Sequence, residues 1–260
     1  MLSVNRFASS ARAAEYVADY WYLHSEAPGP VEIGIFPDSY FSLIFDINHP
    51  ENSFIAGTMN CSLKNIINPH SRLFGVQIKP FLIPFLLGTS AESFVNGSTP
   101  AVFTKNIVHR ICDRLRKCRS QHEMSETVES VLLPLFENLR AERGVFRKIS
   151  EAMLNGTAPP TVRETAFHAG ISEKQLERYF LKHTGLAVKE YSLLTAFERS
   201  CRMLEIGAAS VSCAHSLEFY DQSHFIRNFR RFSGITPTEY ASLKNVGFIQ
   251  YSIGFIQYSI

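Results

Sequence analysis

One frame occurs twice in this chain. Arg178-x-Phe180-x4-Gly185-Leu186-x4-Tyr191 returns 49 residues on as Arg227-x-Phe229-x4-Gly234-Ile235-x4-Tyr240. A polar residue opens each helix-like run, Ser172 and Asp221. An apolar residue sits four further on, Leu176 and Phe225, and an alanine lies upstream, Ala166 and Ala214. The spacing demands two copies of one small helical unit, each with an arginine on its outer face. A single catalytic site has no use for such a pair.

The helical period extends well beyond the frame. After Asn155-Gly156 and Pro159-Pro160, the pattern to Leu243 is helical throughout. Val162 to His168 reads as a short helix and Ala169-Gly170-Ile171 as a turn. Ser172 caps a helix to about His183. Val188 to Leu204 is long enough to connect the two units, and Val211 to Leu217 is short again. Asp221 caps a second helix to Phe232, and Gly234-Ile235-Thr236-Pro237 starts the last one. Helix, tight turn and helix, repeated, is a double helix-turn-helix over 162–183 and 211–232.

Upstream the period is different. Val31 to Phe36, Tyr40 to Ile47, Ser53 to Ala56 and Leu73 to Ile78 are β-branched or aromatic runs. Pro28-Gly29-Pro30, Pro37-Asp38, Asn48-His49-Pro50 and Asn68-Pro69 punctuate them. A small antiparallel barrel or sandwich is expected, open enough to hold a ligand. Trp21, Tyr22, Phe36, Phe41 and Phe45 either line that pocket or fill the core. From Val102 the period becomes helical. Ile107, Val108, Ile111 and Leu115 share one face, as do Val128, Val131, Leu132, Leu135 and Leu139. Pro134 is expected to kink or shorten the second of these helices. The pair forms a dimer surface or covers the strands.

The fold class is therefore α+β. The expected division is 1–100 β-rich, 101–140 connecting helices, 141–245 all-α, and a tail over 246–260. In that tail Gly247-Phe248-Ile249-Gln250-Tyr251-Ser252-Ile253 recurs unchanged as residues 254–260. The tail is uncharged with strong β-propensity, and reads as a recent duplication or as disorder.

Length and composition exclude several classes. At 260 residues with 45% apolar content, the chain can bury two cores. No apolar run approaches the roughly 20 residues of a membrane span. No basic stretch precedes an apolar one at the N-terminus, so no secretory signal is expected. Five cysteines without CxxC spacing point to reduced thiols and a cytoplasmic setting. The net charge of +2 divides unevenly. Residues 1–140 hold 12 Lys and Arg against 13 Asp and Glu, and residues 141–260 hold 14 against 11. That bias is mild, so charge alone does not identify a polyanionic partner.

Phe219-Tyr220-Asp221-Gln222-Ser223-His224-Phe225, followed by Arg227, Phe229, Gly234, Thr236-Pro237 and Tyr240, resembles the C-terminal signature of the AraC/XylS family of transcription activators. The resemblance covers roughly residues 141–245. A weaker one, on Tyr20-Trp21, Pro37-Asp38, Leu43-Ile44-Phe45, Gly57, Gly75-Val76 and Lys79-Pro80, is to a sensor-like N-terminal domain of some members. The family implies double-stranded DNA and RNA polymerase as partners, a small-molecule effector, a homodimer, and activation of transcription. It implies no cofactor. Three positions depart from the pattern: Glu218 where glycine is usual, Val188 where proline is usual, and Ala196 where relatives often carry arginine.

A major groove admits one helix, read by side chains near its N-terminus. With Leu176 and Phe180 inward, the first unit offers Glu173, Lys174, Glu177 and Arg178. With Phe225, Phe229 and Phe232 inward, the second offers Gln222, Ser223, His224, Arg227, Arg230 and Arg231. Arg178 and Arg227 suit guanine, Gln222 suits adenine, and Arg230 and Arg231 suit phosphates. His224 serves equally as a capping or packing residue. The alternatives are a regulator whose N-terminal region only self-associates, and a cupin-like metal enzyme. For the enzyme, His24, His49 and His70 are too isolated in sequence to form the usual ligand cluster. No P-loop, GxSxG or GxGxxG run is present, so no catalytic or metal residue is expected.

Overall fold

Apolar side chains on both faces of a strand require cover on both sides, and β4 shows why. In a computed structural model, which describes residues 2–101, 105–139, 149 and 161–243, β4 (Phe41–Asp46) sends Phe41, Leu43 and Phe45 to one side and Ile44 to the other. The strands β1 (Leu2–Ala8), β2 (Val17–Ser25), β4, β5 (Phe54–Ala56), β7 (Arg72–Ile78) and β8 (Ser98–Pro100) form one sheet in the order β1-β2-β7-β4-β5-β8. β3 (Val31–Ile35) and β6 (Leu63–Ile67) form a separate ribbon. Every pairing is antiparallel. The large sheet keeps free edges at β1 and β8, so the expected barrel or sandwich is an open, sandwich-like pair of sheets.

Two clusters fill the two sides. Tyr20, Phe74, Val76, Leu43 and Phe45 join the principal core. Trp21, Leu23 and Ile44 pack with Ile33 and Ile67 of the ribbon. Trp21 lies across Gly75 of the neighbouring strand so closely that a Cβ there would fall 1.8 Å from the indole.

Helices α2 (Lys105–Leu115) and α3 (Gln121–Asn138) cover the principal face. Ile111, Leu115, Val128 and Phe136 are fully buried there, and Phe136 meets Tyr16 with ring centroids 5.8 Å apart. Of the two roles open to this pair, covering the strands is the one seen. Of the two effects expected of Pro134, a kink or a shortened helix, shortening is not seen, because the helix continues to Asn138. Pro134 and Ser130, whose carbonyl it would block, are both exposed, so water can take the orphaned acceptor.

The helical half begins with α4 (Val162–Ala169), α5 (Glu173–Thr184) and α6 (Val188–Glu205), and ends with α7 (Ser210–Ser216), α8 (Gln222–Ser233) and α9 (Pro237–Leu243). Thr161 and Ser172 form capping boxes with Glu164 and Gln175, and Asp221 accepts from the His224 amide at 2.6 Å. The turns match bond for bond. Gly170 and Ile171 donate to Phe167 and Ala166 at 3.1 Å each, while Glu218 and Phe219 donate to His215 and Ala214 at 3.1 and 3.0 Å. Both turn residues are left-handed, φ 68° at Gly170 and 54° at Glu218. The repeat is thus structural as well as sequential, and the second copy carries a side chain where the first has none. Residues 141–148 and 150–160 and the repeated tail lie outside the described residues. Among those described, no helix is long and apolar enough to cross a membrane.

The two halves share one core, and short segments of the β-rich half, with α1 (Ile83–Leu87), support α5. Gly185, which ends α5 at φ 75°, sits where a Cβ would fall 2.4 Å from Val95 and 2.8 Å from the Ala91 carbonyl. Only glycine meets both demands. His183 is buried here against the Pro80 and Phe81 backbone, and burial holds its pKa down at about 4.

Two outcomes follow. Glu218→Gly relieves a left-handed side chain and raises unfolding stability by up to about 1 kcal/mol in urea titration. Because His183 is kept neutral, the unfolded chain takes up a proton between about pH 6.5 and 4 that the folded chain refuses. Stability contributed here is complete above that window and lost on descending through it. His183→Gln flattens this part of the stability profile.

Candidate nucleic-acid interface

A recognition helix can enter a groove only if its N-terminal turns are free. Both α5 and α8 meet this condition for the same reason, since each is held by its C-terminal end. Ser90 reaches the Leu181 carbonyl at 3.4 Å near the end of α5. The Ser62 amide donates to the Phe232 carbonyl at 2.8 Å near the end of α8. Helix α6 packs against both.

The inward residues are as the period requires. Leu176, Phe180 and Phe232 are fully buried, and Phe225 and Phe229 nearly so. Phe229 packs edge-on to Phe197 of α6 at 4.9 Å. On the outer faces, Glu173, Lys174, Arg178, Gln222, Ser223, Arg227 and Arg230 are exposed.

Three residues of the expected set have other engagements. Glu177 is half-buried and accepts from the Val188 amide at 3.4 Å, so it caps α6. A proline at 188 would offer no such amide, and the substitution and the cap therefore belong together. His224 is half-buried with its ring edge-on to Phe219 at 5.4 Å. Arg231 is exposed but pairs with Glu190 of α6 and lies over Phe232 at 5.3 Å. A phosphate must compete with that carboxylate. Ala196 is fully buried, which makes its position one for packing.

Sequence reasoning missed Tyr220. The second turn is one residue longer than the first, and Tyr220 occupies the extra place with 93% of its surface exposed, directly before the cap of α8. The offset between the repeats, 48 residues at Ala166 and Ala214 but 49 at Ser172 and Asp221, was the available signal.

A concavity of about 210 Å³ separates the large sheet from the β3–β6 ribbon. Its walls are mostly apolar, including Trp21, Ile33, Ile44 and Ile67, with Asp38, Tyr40 and Ser42 among its polar groups. The buried Trp21 indole N–H has no acceptor among the described residues. Of the expected pocket aromatics, Trp21 lines this space, whereas Phe41 and Phe45 belong to the principal core. Among the described residues, no three His, Cys, Asp or Glu side chains gather as a metal ion requires.

Residues 165–242 match a family described as a helix-turn-helix domain, and residues 5–100 match a domain of unknown function, DUF6597. The chain is 28% identical over 158 residues to the uncharacterised HTH-type transcriptional regulator YidL of Escherichia coli, covering 60% of this chain and 46% of that protein. It is 31% identical over 97 residues to the HTH-type transcriptional regulator ArgR of Pseudomonas aeruginosa, covering 35% of this chain and 30% of that one. The chain thus spans less than half the length of these relatives. Among solved structures, ToxT of Vibrio cholerae superposes over 94% of this chain and 97% of its own, with a TM-score of 0.44 and 13% identity.

The Glu190–Arg231 pair gives a direct test of the interface. Glu190→Gln should tighten binding to duplex DNA several-fold. Fluorescence anisotropy across a salt series should show the slope of log K against log salt steepening by about 1, as one more cation becomes free for a phosphate.

Proposed function

We propose that the chain is a sequence-specific DNA-binding regulator of transcription of the AraC/XylS type, a reading supported by the match of residues 165–242 to a helix-turn-helix family. One observation carries the reading: α5 and α8, equivalent helices in a structural repeat, both present exposed N-terminal turns while their C-terminal ends are anchored. A rigid connecting helix suits two readers about 34 Å apart, one turn of the duplex, on a single face. One chain then reads two successive major-groove segments without internal symmetry.

In this reading Arg178 and Arg227 take guanine edges, Gln222 takes adenine, and Arg230 takes a phosphate. Glu173 and Lys174 flank the first contact, and Ser223 flanks the second. Glu177 and His224 serve the interface by fixing helix geometry. RNA polymerase as a partner, activation as the sense of control and self-association belong to the same proposal. So does the division of the chain at about residues 100 and 140. The cavity of the β-rich half suits a compact, uncharged, mostly apolar molecule. At about 210 Å³ it exceeds the 150 Å³ or so that holds benzene, so a substituted ring fits. A hydrogen-bond acceptor on that ring would satisfy the Trp21 N–H.

Selection from a random duplex library should enrich one asymmetric site with two blocks a helical turn apart. Arg227→Ala then costs about 1–3 kcal/mol at one base position, while Arg230→Ala weakens all sequences alike and reduces the salt slope. Enrichment of a single block, or of nothing, would refute the two-reader proposal.

A further inference from the structure

Helix α6 buries a carboxylate where an apolar residue would dock more cheaply. Glu198 is 8% exposed and faces the turn between β3 and β4. Its two oxygens accept the Ser39 amide and the Ser39 hydroxyl, the latter at 3.1 Å. Two turns earlier on the same helix, the Tyr191 hydroxyl donates to the Ser39 carbonyl at 3.2 Å. Every polar group of one turn residue is therefore bound by the helix that joins the two readers. The neighbours of Ser39, Asp38 and Tyr40, both line the cavity. Asp38 accepts from the Tyr40 amide at 3.0 Å and from Gln77 of β7 at 2.8 Å.

We propose that this turn is a relay: occupancy of the cavity, sensed at Asp38 and Tyr40, is passed through Ser39 to Glu198 and so to the placement of α6. The proposal rests on reading the chain as a ligand-controlled DNA binder. Its logic is steric and electrostatic. A buried carboxylate tolerates little loss of its donors, so a rotation of the Ser39 peptide strips Glu198 of both Ser39 donors, leaves the neighbouring arginine charges to balance it alone, and loosens the docking. An apolar contact would slip gradually. Asp38 and Tyr40 cannot shift within the cavity wall without turning the peptides that flank Ser39, so the two states are linked. Helix α6 packs against α5, α7, α8 and α9, and any change in its seat reaches both readers. Linkage runs both ways, so DNA held by the readers must also alter the cavity.

The chain's single tryptophan, Trp21, lies in the cavity wall and reports its state. Without DNA, Glu198→Gln should shift Trp21 emission, whereas His183→Gln, which loosens the junction away from the cavity, should not. With a library-selected duplex, DNA should change Trp21 emission in the wild type and not in Glu198→Gln. The cavity-filling change Ala56→Phe should alter the Kd for that duplex at least three-fold, and leave it unchanged when combined with Glu198→Gln. Equal emission in Glu198→Gln and wild type, or an equal effect of Ala56→Phe in both backgrounds, overturns the relay. If Ala56→Phe does not fold, the emission comparisons decide. If the wild type enriches no duplex, the DNA-binding reading fails by itself, and the DNA-free emission experiment still decides the relay.

Discussion

The seat of α6 on the β-rich half is the constraint from which the rest of the architecture follows. Burial pushes the Glu198 carboxyl up, while Arg202 and the two Ser39 donors hold it down. A charge in that position stabilises docking only when its donors are correctly placed, so the contact specifies one arrangement more than it adds affinity. Phe197, one residue earlier, supplies the apolar part by meeting Phe36 from the β-rich half and Phe229 from α8. One helix turn thus joins sheet, connector and second reader. Helices α5 and α8 both pack against α6, so their placement depends on this seat as well as on their own helix-turn-helix units.

The repeat shows how a duplicated unit is adapted to unequal surroundings. Both reading helices end in left-handed glycines, but Gly185 is wedged against Ala91 and Val95 while Gly234 has only the Ser62 hydroxyl near it, at 3.5 Å from a would-be Cβ. The same residue is fixed by packing in the first copy and by backbone conformation in the second. The turns reverse this order: open space surrounds Gly170, yet the second copy places glutamate in the equivalent left-handed position. The polar ends differ too. The first unit exposes Glu173 beside Lys174, and the second exposes Arg227 and Arg230 with no acid in its first turn. The exposed face of the second unit is therefore the more basic of the two.

Much of this was legible in the sequence where the cause is local. Caps, left-handed turns and the 3.6-residue period act within a few residues, so Ser172, Asp221 and the inward Phe225 and Phe229 were all foreseeable. The strands at 31–36, 40–47 and 73–78 were legible through their β-branched and aromatic runs. β1 was not, because Asn5 and Arg6 interrupt its pattern, and Arg6 is accommodated by partners elsewhere in the fold that include Asp19 and Gln77. β6 escaped because its ribbon exposes Lys64, Asn65 and Ile66 in succession. The contact of Ser39 with Glu198 joins positions 159 residues apart. No window of sequence holds both ends of such a bond, and neither residue type suggests the other.

The same distinction decides which of the expected interface residues are free to touch a partner. A helical wheel places Glu177, His224 and Arg231 outward, and it is right about direction. It cannot count what else arrives there. Val188, lacking the ring of a proline, brings an amide to Glu177, and the longer second turn brings Phe219 to His224. Glu190, two residues into α6, brings a carboxylate to Arg231. In each case α6 or the loop before a reader supplies the neighbour, so the outer face is edited by the very elements that space the two units. Arg178, Gln222, Arg227 and Arg230 are exposed and are among the groups left to approach a partner, although Arg230 also lies in the field of Glu239. They lie within the first three turns of their helices, where a groove would meet them.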